Sequence, residues 1–130
     1  MKAPQTIHGM TLVEFDLMVA QKYANKVDSS KKRGIEFSLS FAEFRRLLLK
    51  KRCSYTGIEM TIHRGMNAPA NTDLTIERVD NKVGYVRGNV ISVCAAANKI
   101  KSVFEDPNTL LNVRDAVRMF STIDRIQKGI

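Results

Sequence analysis

The sequence contains few cysteines and histidines and has no long apolar run. A membrane-spanning helix needs about 18 consecutive apolar residues, so none is expected, and the opening residues lack the apolar segment of a secretory signal. Cys53 and Cys94 are too few for a disulfide framework, which favours reduced thiols and an intracellular, cytoplasmic protein. His8 and His63 are interpreted as ordinary polar residues, although His63 could replace a missing general base.

Acidic residues are also few compared with basic ones. The chain has 21 Lys and Arg against 13 Asp and Glu, which gives a formal charge of +8 at pH 7. This excess favours a polyanionic partner, of which nucleic acid is the commonest. A ribosome-associated or RNA-binding protein is an alternative. With 130 residues, 44% of them hydrophobic, the chain fits one domain, residues 1–130, with a modest core.

Two N-terminal helices are predicted within residues 11–52. The first has helical spacing of apolar residues from Thr11 to about Val27, and the second opens with Ser40 and Glu43, which form a capping-box pattern. Between the helices, a basic turn is predicted. Its cations either contact phosphate or belong to a solvated linker, and they are Lys31, Lys32 and Arg33.

A C-terminal helix is predicted over residues 107–126. Asp106 followed by Pro107 is typical of a helix start, and apolar residues then recur at helical spacing. We expect its apolar face to close the core, with a dimer interface as the alternative.

The stretch from Leu74 to Ser102 organises the rest of the chain, within a predicted core of residues 74–104. It reads as a short alternating strand, a polar loop with two glycines, a second β-rich run and an alanine-rich helix. The predicted fold class is therefore α+β, a small domain in which helices surround one ββα unit.

The same stretch resembles the ββα-metal core of HNH endonucleases, in the branch that runs L-[DE]-R-[IV]-D-N-x-x-G-Y-x-x-x-N-V and then C, N and K-S. The matching residues are Glu77, Arg78, Val79, Asp80, Asn81, Gly84, Tyr85, Asn89, Val90, Cys94, Asn98, Lys101 and Ser102. Residues 32–39 and 53–57 are also similar to phage-type members, so the likeness covers roughly residues 20–105.

The resemblance implies a DNA endonuclease that depends on Mg²⁺ or Mn²⁺, with Glu77 and Asn98 as metal ligands. Many members carry a histidine base where this chain has Arg78, and a guanidinium cannot accept a proton. Either Tyr85 is the base, with Arg78 acidifying its phenol, or catalysis is lost and Arg78 holds a phosphate.

The remaining matched residues have supporting roles. Asn89 and Asp80 are expected to shape the loop. Three further cations either contact phosphates or are solvated, and they are Arg87, Lys99 and Lys101. Relatives hold zinc with two CxxC pairs, of which one cysteine each is kept here, so zinc is not expected and the two thiols are interpreted as buried neighbours.

The overall expectation is a phage or mobile-element nuclease acting on double-stranded DNA inside a bacterial host, without a membrane partner. No sequence-reading module is recognisable, so a second protein could supply specificity. The alternative is a catalytically inactive HNH-fold module that binds DNA or a host protein.

Overall fold

The computed structural model describes residues 6–130, so residues 1–5 of the predicted single domain lie outside the described part. The helices are α1 (Leu12–Lys32), α2 (Phe41–Leu48), α3 (Ala95–Glu105) and α4 (Val113–Lys128), and the strands are β1 (Leu74–Arg78) and β2 (Val90–Cys94). This arrangement is α+β, which confirms the predicted class at that level.

The two strands form an antiparallel pair, with Leu74 opposite Cys94 and Arg78 opposite Val90. Helix α3 begins directly after β2. Its first amides, those of Ala95 and Ala96, donate to the carbonyls of Asp73 and Asn71, which precede β1. These bonds satisfy amides that have no partner within the helix, and they fix the start of α3 beside the start of β1.

Both N-terminal helices open with capping boxes, and the predicted pair Ser40 and Glu43 is confirmed. The predicted end of α1 near Val27 is wrong, because the helix continues to Lys32. Ser30 is buried and Lys32 pairs with Asp28 one turn back, so the polar segment stays helical until Gly34 at φ +67°. The predicted basic turn is therefore the last turn of α1.

The main core lies between the N-terminal helices and β1. Its buried side chains are Met10, Phe15, Val19, Phe44 and Leu48. Leu74 and Ile76 of β1 pack against it, which fixes one face of the hairpin on α1 and α2. A second cluster, formed by Cys53, Met60, Val93 and Cys94, lies beneath the start of α3.

The loop between the strands is fastened to the segment before α2. The Tyr85 amide donates to the Glu36 carbonyl at 2.8 Å, and the Ser38 amide donates to the Tyr85 carbonyl at 3.0 Å. A Cβ atom on residue 84 would lie 2.4 Å from the Glu36 oxygen, so this approach requires Gly84.

The C-terminal prediction is corrected in two respects. Residues Pro107–Thr109 form a 3-10 turn, and α4 starts only at Val113 after Leu110 at φ +64°. Of the residues in α4, Ala116 alone is buried, and Phe120 is 48% exposed although its ring packs edge-to-face on Phe104. The apolar face of α4 therefore does not close the core.

Within residues 6–130, no helix combines the length and the apolar character needed to cross a bilayer.

Candidate active-site cleft

A cleft of about 740 Å³ is lined by residues of α1, the hairpin and α3. Its polar lining comes from α1, β1, the loop after β1 and α3: Lys22, Asn25, Lys26, Ser29, Arg33, Thr75, Glu77, Arg78, Asn81, Tyr85, Asn98, Ser102 and Glu105. All four residues assigned to metal binding or catalysis, Glu77, Asn98, Arg78 and Tyr85, line this one cleft.

Strand and helix periodicities bring the β1 and α3 side chains together. Thr75 and Glu77 are two residues apart in β1, and Asn98 and Lys101 are three apart in α3, so each pair shares a face of its element. Asn98 Nδ2 donates to Thr75 Oγ1 at 3.0 Å, and Lys101 Nζ donates to Glu77 Oε1 at 3.2 Å. These two contacts place Glu77 and Asn98 in the same interface, the one between β1 and α3.

The Glu77 carboxylate is buried, with a residue exposure of 5%. Lys101 engages Oε1, whereas Oε2 is enclosed and has no hydrogen-bond partner among the described residues. Burial is the largest influence and raises the pKa of Glu77 above its ordinary value, although the Lys101 ammonium opposes it.

The Lys101 ammonium contacts three oxygen atoms of the protein. Its Nζ lies 3.2 Å from Glu77 Oε1, 2.8 Å from Glu105 Oε2 and 3.1 Å from the Arg78 carbonyl oxygen. Burial acts to lower the pKa of Lys101, but the two carboxylates outweigh it and the pKa is raised. For Glu77 the Lys101 and Arg78 cations do not outweigh burial, and the nearby Glu105 carboxylate adds to it, so the two partners respond differently. Lys101 is therefore neither a solvated cation nor an exposed phosphate contact, the two alternatives that the sequence left open.

The residues that could hold a divalent cation are Glu77 and Asn98. Glu77 Oε2 is a buried acceptor without a partner, and the hydrogen bond to Thr75 uses the amide nitrogen of Asn98 rather than its oxygen. Among residues 6–130 there is no cluster of three or more His, Cys, Asp or Glu side chains that could surround a metal. Two oxygen ligands suit Mg²⁺, which usually keeps several waters.

Tyr85 is buried at the cleft wall between two cations. Lys26 Nζ lies 4.7 Å from its ring centroid, and Arg78 Cζ lies 5.2 Å away. Burial opposes ionisation of the phenol, but Lys26, Arg78 and Arg33 together outweigh it and lower the pKa of Tyr85. Arg78 is held there because its Nη1 donates to the Asn81 carbonyl at 2.8 Å and to the Val83 carbonyl at 3.3 Å.

The loop residues Asn89 and Asp80 bond to the loop backbone. Asn89 Oδ1 accepts from the Asp80 amide, and its Nδ2 donates to the carbonyls of Asp80, Val83 and Gly84 at 3.0, 3.3 and 3.0 Å. Asp80 Oδ1 accepts from the Lys82 amide at 2.9 Å. Together these contacts set the loop that carries Tyr85.

The other predicted phosphate contacts are dispersed. Arg33 lines the cleft, but Lys31 and Lys32 do not. Arg87 is 91% exposed and lies 3.9 Å from Glu43, and Lys99 Nζ donates to Asn71 Oδ1. The structure therefore brings only Arg33 of this set to the cleft.

Sequence reasoning missed Lys22 and Lys26, which line the cleft from α1. The sequence signal for them is a pair of lysines one helical turn apart, on the helix face that continues toward Arg33. That signal could not be used without knowing which face of α1 meets the hairpin.

The cysteines are buried neighbours in the second cluster and both are free thiols. Burial acts to raise the pKa of Cys53, but hydrogen bonds from the Thr56 hydroxyl and from the backbone amides of Cys94, Thr56 and Tyr55 outweigh it and lower the pKa to about 7. The histidine rings contact carbonyls elsewhere, His8 at Leu48 and His63 at Asn67, and neither lines the cleft.

Comparison with known proteins found two viral relatives. The chain is 36% identical over 74 residues to an uncharacterized 29.0 kDa protein of Enterobacteria phage T4 from the dda-modA intergenic region, a match covering 57% of this chain and 28% of that protein. It is 27% identical over 116 residues to an uncharacterized protein of Acanthamoeba polyphaga mimivirus, covering 89% of this chain and 19% of that protein. The chain therefore spans about a quarter and about a fifth of these relatives. No family model and no solved structure matches it.

Proposed function

We propose that the protein is a phage or virus-type endonuclease of the HNH class, which hydrolyses DNA phosphodiester bonds with Mg²⁺ or Mn²⁺. The observation that carries this proposal is the buried Glu77 Oε2, which has no partner among the described residues and belongs to a side chain that lines the cleft with Asn98 and Tyr85. A buried unpaired carboxylate oxygen is costly, and cation binding would compensate that cost. The viral relatives agree with a phage-type source.

Each cleft residue then has a role. Glu77 and Asn98 would hold the cation, which when bound supplies stabilisation of negative charge on the phosphate and the leaving oxygen. Tyr85 takes a proton from the attacking water, because the positive charges around its phenol favour the tyrosinate form. Arg78 keeps positive charge beside Tyr85, and its loop contacts fix that position.

Double-stranded DNA is the proposed substrate, in keeping with the net charge of +8. Phosphate contacts carry no sequence information, so we expect modest specificity, nicking, or a protein partner that supplies specificity.

A second candidate function is a non-catalytic HNH-fold module that binds DNA or a host protein. Lys101 occupies Glu77 Oε1, so it competes with any cation for that carboxylate. Arg78 stands where the resembled family carries its base, and it cannot accept a proton.

Plasmid cleavage separates the two candidates. Protein, with Mg²⁺ or Mn²⁺ or with a chelator, is mixed with supercoiled plasmid, beside the variants Glu77→Gln and Tyr85→Phe. The matched control is Glu59→Gln, which removes the same charge at an exposed position outside the cleft lining. Nuclease function predicts cation-dependent cutting that Glu77→Gln reduces by about 10²-fold or more and Glu59→Gln leaves intact. Salt-sensitive DNA binding without any cutting contradicts the enzyme and supports the non-catalytic module.

A further inference from the structure

One face of α1 lines the same cleft as β1 and Tyr85. Its residues follow helical spacing along almost the whole second half of the helix: Lys22, Asn25, Lys26, Ser29 and Arg33. Intervals of three, four and seven residues keep side chains on one side of a helix. This set, called here the α1 wall, contains three cations and two hydrogen-bonding side chains and no acid.

The cations of the α1 wall differ from the six cations that are paired with carboxylates among residues 6–130. These six are Lys32, Arg45, Arg64, Arg87, Lys101 and Lys128. No such pair involves Lys22, Lys26 or Arg33 among residues 6–130. The acids that line the cleft, Glu77 and Glu105, are both engaged by Lys101. The α1 wall therefore presents a row of cations that form no ion pair with the acids of residues 6–130.

We propose that the α1 wall binds consecutive backbone phosphates of a nucleic-acid strand lying along α1 in the cleft. Lys22 and Arg33 are eleven positions apart, which corresponds to roughly 16 Å along the helix axis. One strand of duplex DNA carries a phosphate about every 3.4 Å along its axis, so about five phosphates pass along this length. Asn25 and Ser29 lie between the cations and can donate hydrogen bonds to phosphate oxygens.

This inference rests on the proposed function and deepens it, because the strand would run through the cleft that Glu77 and Tyr85 also line. It also gives Lys26 two tasks, since its ammonium contacts the Tyr85 ring as well as facing the cleft. Nucleic acid is favoured over an acidic peptide because the cations repeat along one helix face and the polar side chains between them suit phosphate oxygens.

Binding is measured by anisotropy of a short labelled DNA duplex in a chelator, across a salt series, so that cleavage cannot occur. The test variant is the triple Lys22→Gln, Lys26→Gln, Arg33→Gln. The control triple removes the same charge from exposed positions of α4: Arg114→Gln, Arg125→Gln and Lys128→Gln. Each lost phosphate contact lowers the slope of log affinity against log salt by about 0.9, so the test variant should lose about 2.7. Its affinity at low salt should fall by at least about tenfold, while the control keeps slope and affinity.

The proposal is overturned if both triples lose binding equally, if neither does, or if polyglutamate displaces the duplex as well as unlabelled DNA does. Thermal unfolding of the test variant is recorded in parallel, and the single variant Lys22→Gln replaces it if the triple is unfolded, with an expected slope change of about 0.9. The outcome is independent of catalysis. If the parent cuts DNA in a Glu77-dependent way and the test triple binds DNA normally, only this inference fails. If the parent never cuts DNA and the test triple loses binding, only the nuclease proposal fails.

Discussion

Lys101 Nζ lies 3.2 Å from Glu77 Oε1, and both side chains are largely buried, at 15% and 6% exposure. The ammonium also reaches Glu105 at 2.8 Å, so one cation holds two carboxylates at the rim of the cleft. The contact explains how a glutamate is kept inside a two-strand hairpin at all, because an unpaired buried carboxylate is strongly disfavoured. It also leaves Glu77 Oε2 buried and without a hydrogen-bond partner among the described residues.

Replacing Lys101 by Met should destabilise the fold by about 3 kcal/mol at neutral pH, because it leaves the buried Glu77 charge uncompensated. Without Lys101 the pKa of Glu77 rises further, so the folded chain binds a proton more readily than the unfolded one. Stability should therefore recover as pH falls through that raised pKa and remain lost above it. Urea unfolding across pH measures both effects.

The control for this change is Lys128→Met, whose partner Asp124 and own side chain are 63% and 76% exposed. An exposed ion pair contributes little, so this variant should stay within about 0.5 kcal/mol of the parent. Equal destabilisation by both variants, or no recovery in acid, would show that Lys101 does not compensate a buried carboxylate.

Tyrosinate absorbance reports the environment of Tyr85. Its pKa is lowered by the surrounding cations, whereas burial raises the pKa of Tyr55. The parent protein should therefore show a tyrosinate transition below the ordinary tyrosine pKa of about 10, and this transition should be absent from Tyr85→Phe. Lys26→Met should move that transition to higher pH, and Lys31→Met, on the same helix outside the cleft, should not. An unchanged transition in Lys26→Met contradicts the assigned cause.

Gly84→Ala should destabilise the protein by about 1–3 kcal/mol, because the new Cβ would lie 2.4 Å from the Glu36 carbonyl oxygen. That oxygen accepts the Tyr85 amide, so the backbone cannot withdraw without losing the bond. Gly129→Ala is the matched control, since its Cβ meets only ordinary contacts at 3.6 and 3.7 Å. Thermal denaturation compares the two, and a Gly84→Ala protein as stable as the control argues against the close approach.

The lowered pKa of Cys53 predicts that the free energy of unfolding rises with pH. Its pKa of about 7 lies below the unfolded value of about 8.5, so the folded chain loses its proton first. The stabilisation is present above the unfolded pKa and is lost as pH falls through the folded pKa. Stability measured between about pH 7 and 9 should increase in the parent and not in Cys53→Ser. Cys94→Ala keeps the backbone amide that donates to Cys53, so this variant should retain the pH dependence. Loss of the pH dependence in Cys94→Ala would point to a group other than Cys53.

The sequence predicted the elements that depend on local signals. The Ser40 capping box and the strand containing Leu74 and Ile76 need only a few neighbouring residues to be recognised, and both are found. The end of α1 was misplaced because burial of Ser30, a tertiary effect, overrides the polar character of its segment. The C-terminal start was misplaced because Asp106 and Pro107 cap a 3-10 turn, whereas Asn112 caps α4.

The candidate site was predicted through the resemblance rather than through residue patterns. Four of its members came from matched positions in the hairpin and α3, and they do share a cleft. Lys22 and Lys26 were missed because their contribution depends on how α1 is oriented against the hairpin. For Lys101 the sequence left a phosphate contact and a solvated cation open, and neither alternative included the two nearby carboxylates.

The most direct test of the cation site is anomalous scattering from a crystal of the protein soaked in Mn²⁺. The proposal predicts a peak between the Glu77 carboxylate and the Asn98 amide oxygen, absent from crystals of Glu77→Gln grown alike. A Glu77 carboxylate that keeps its contact with Lys101 and shows no peak, or a peak that Glu77→Gln leaves in place, contradicts the metal site and with it the nuclease.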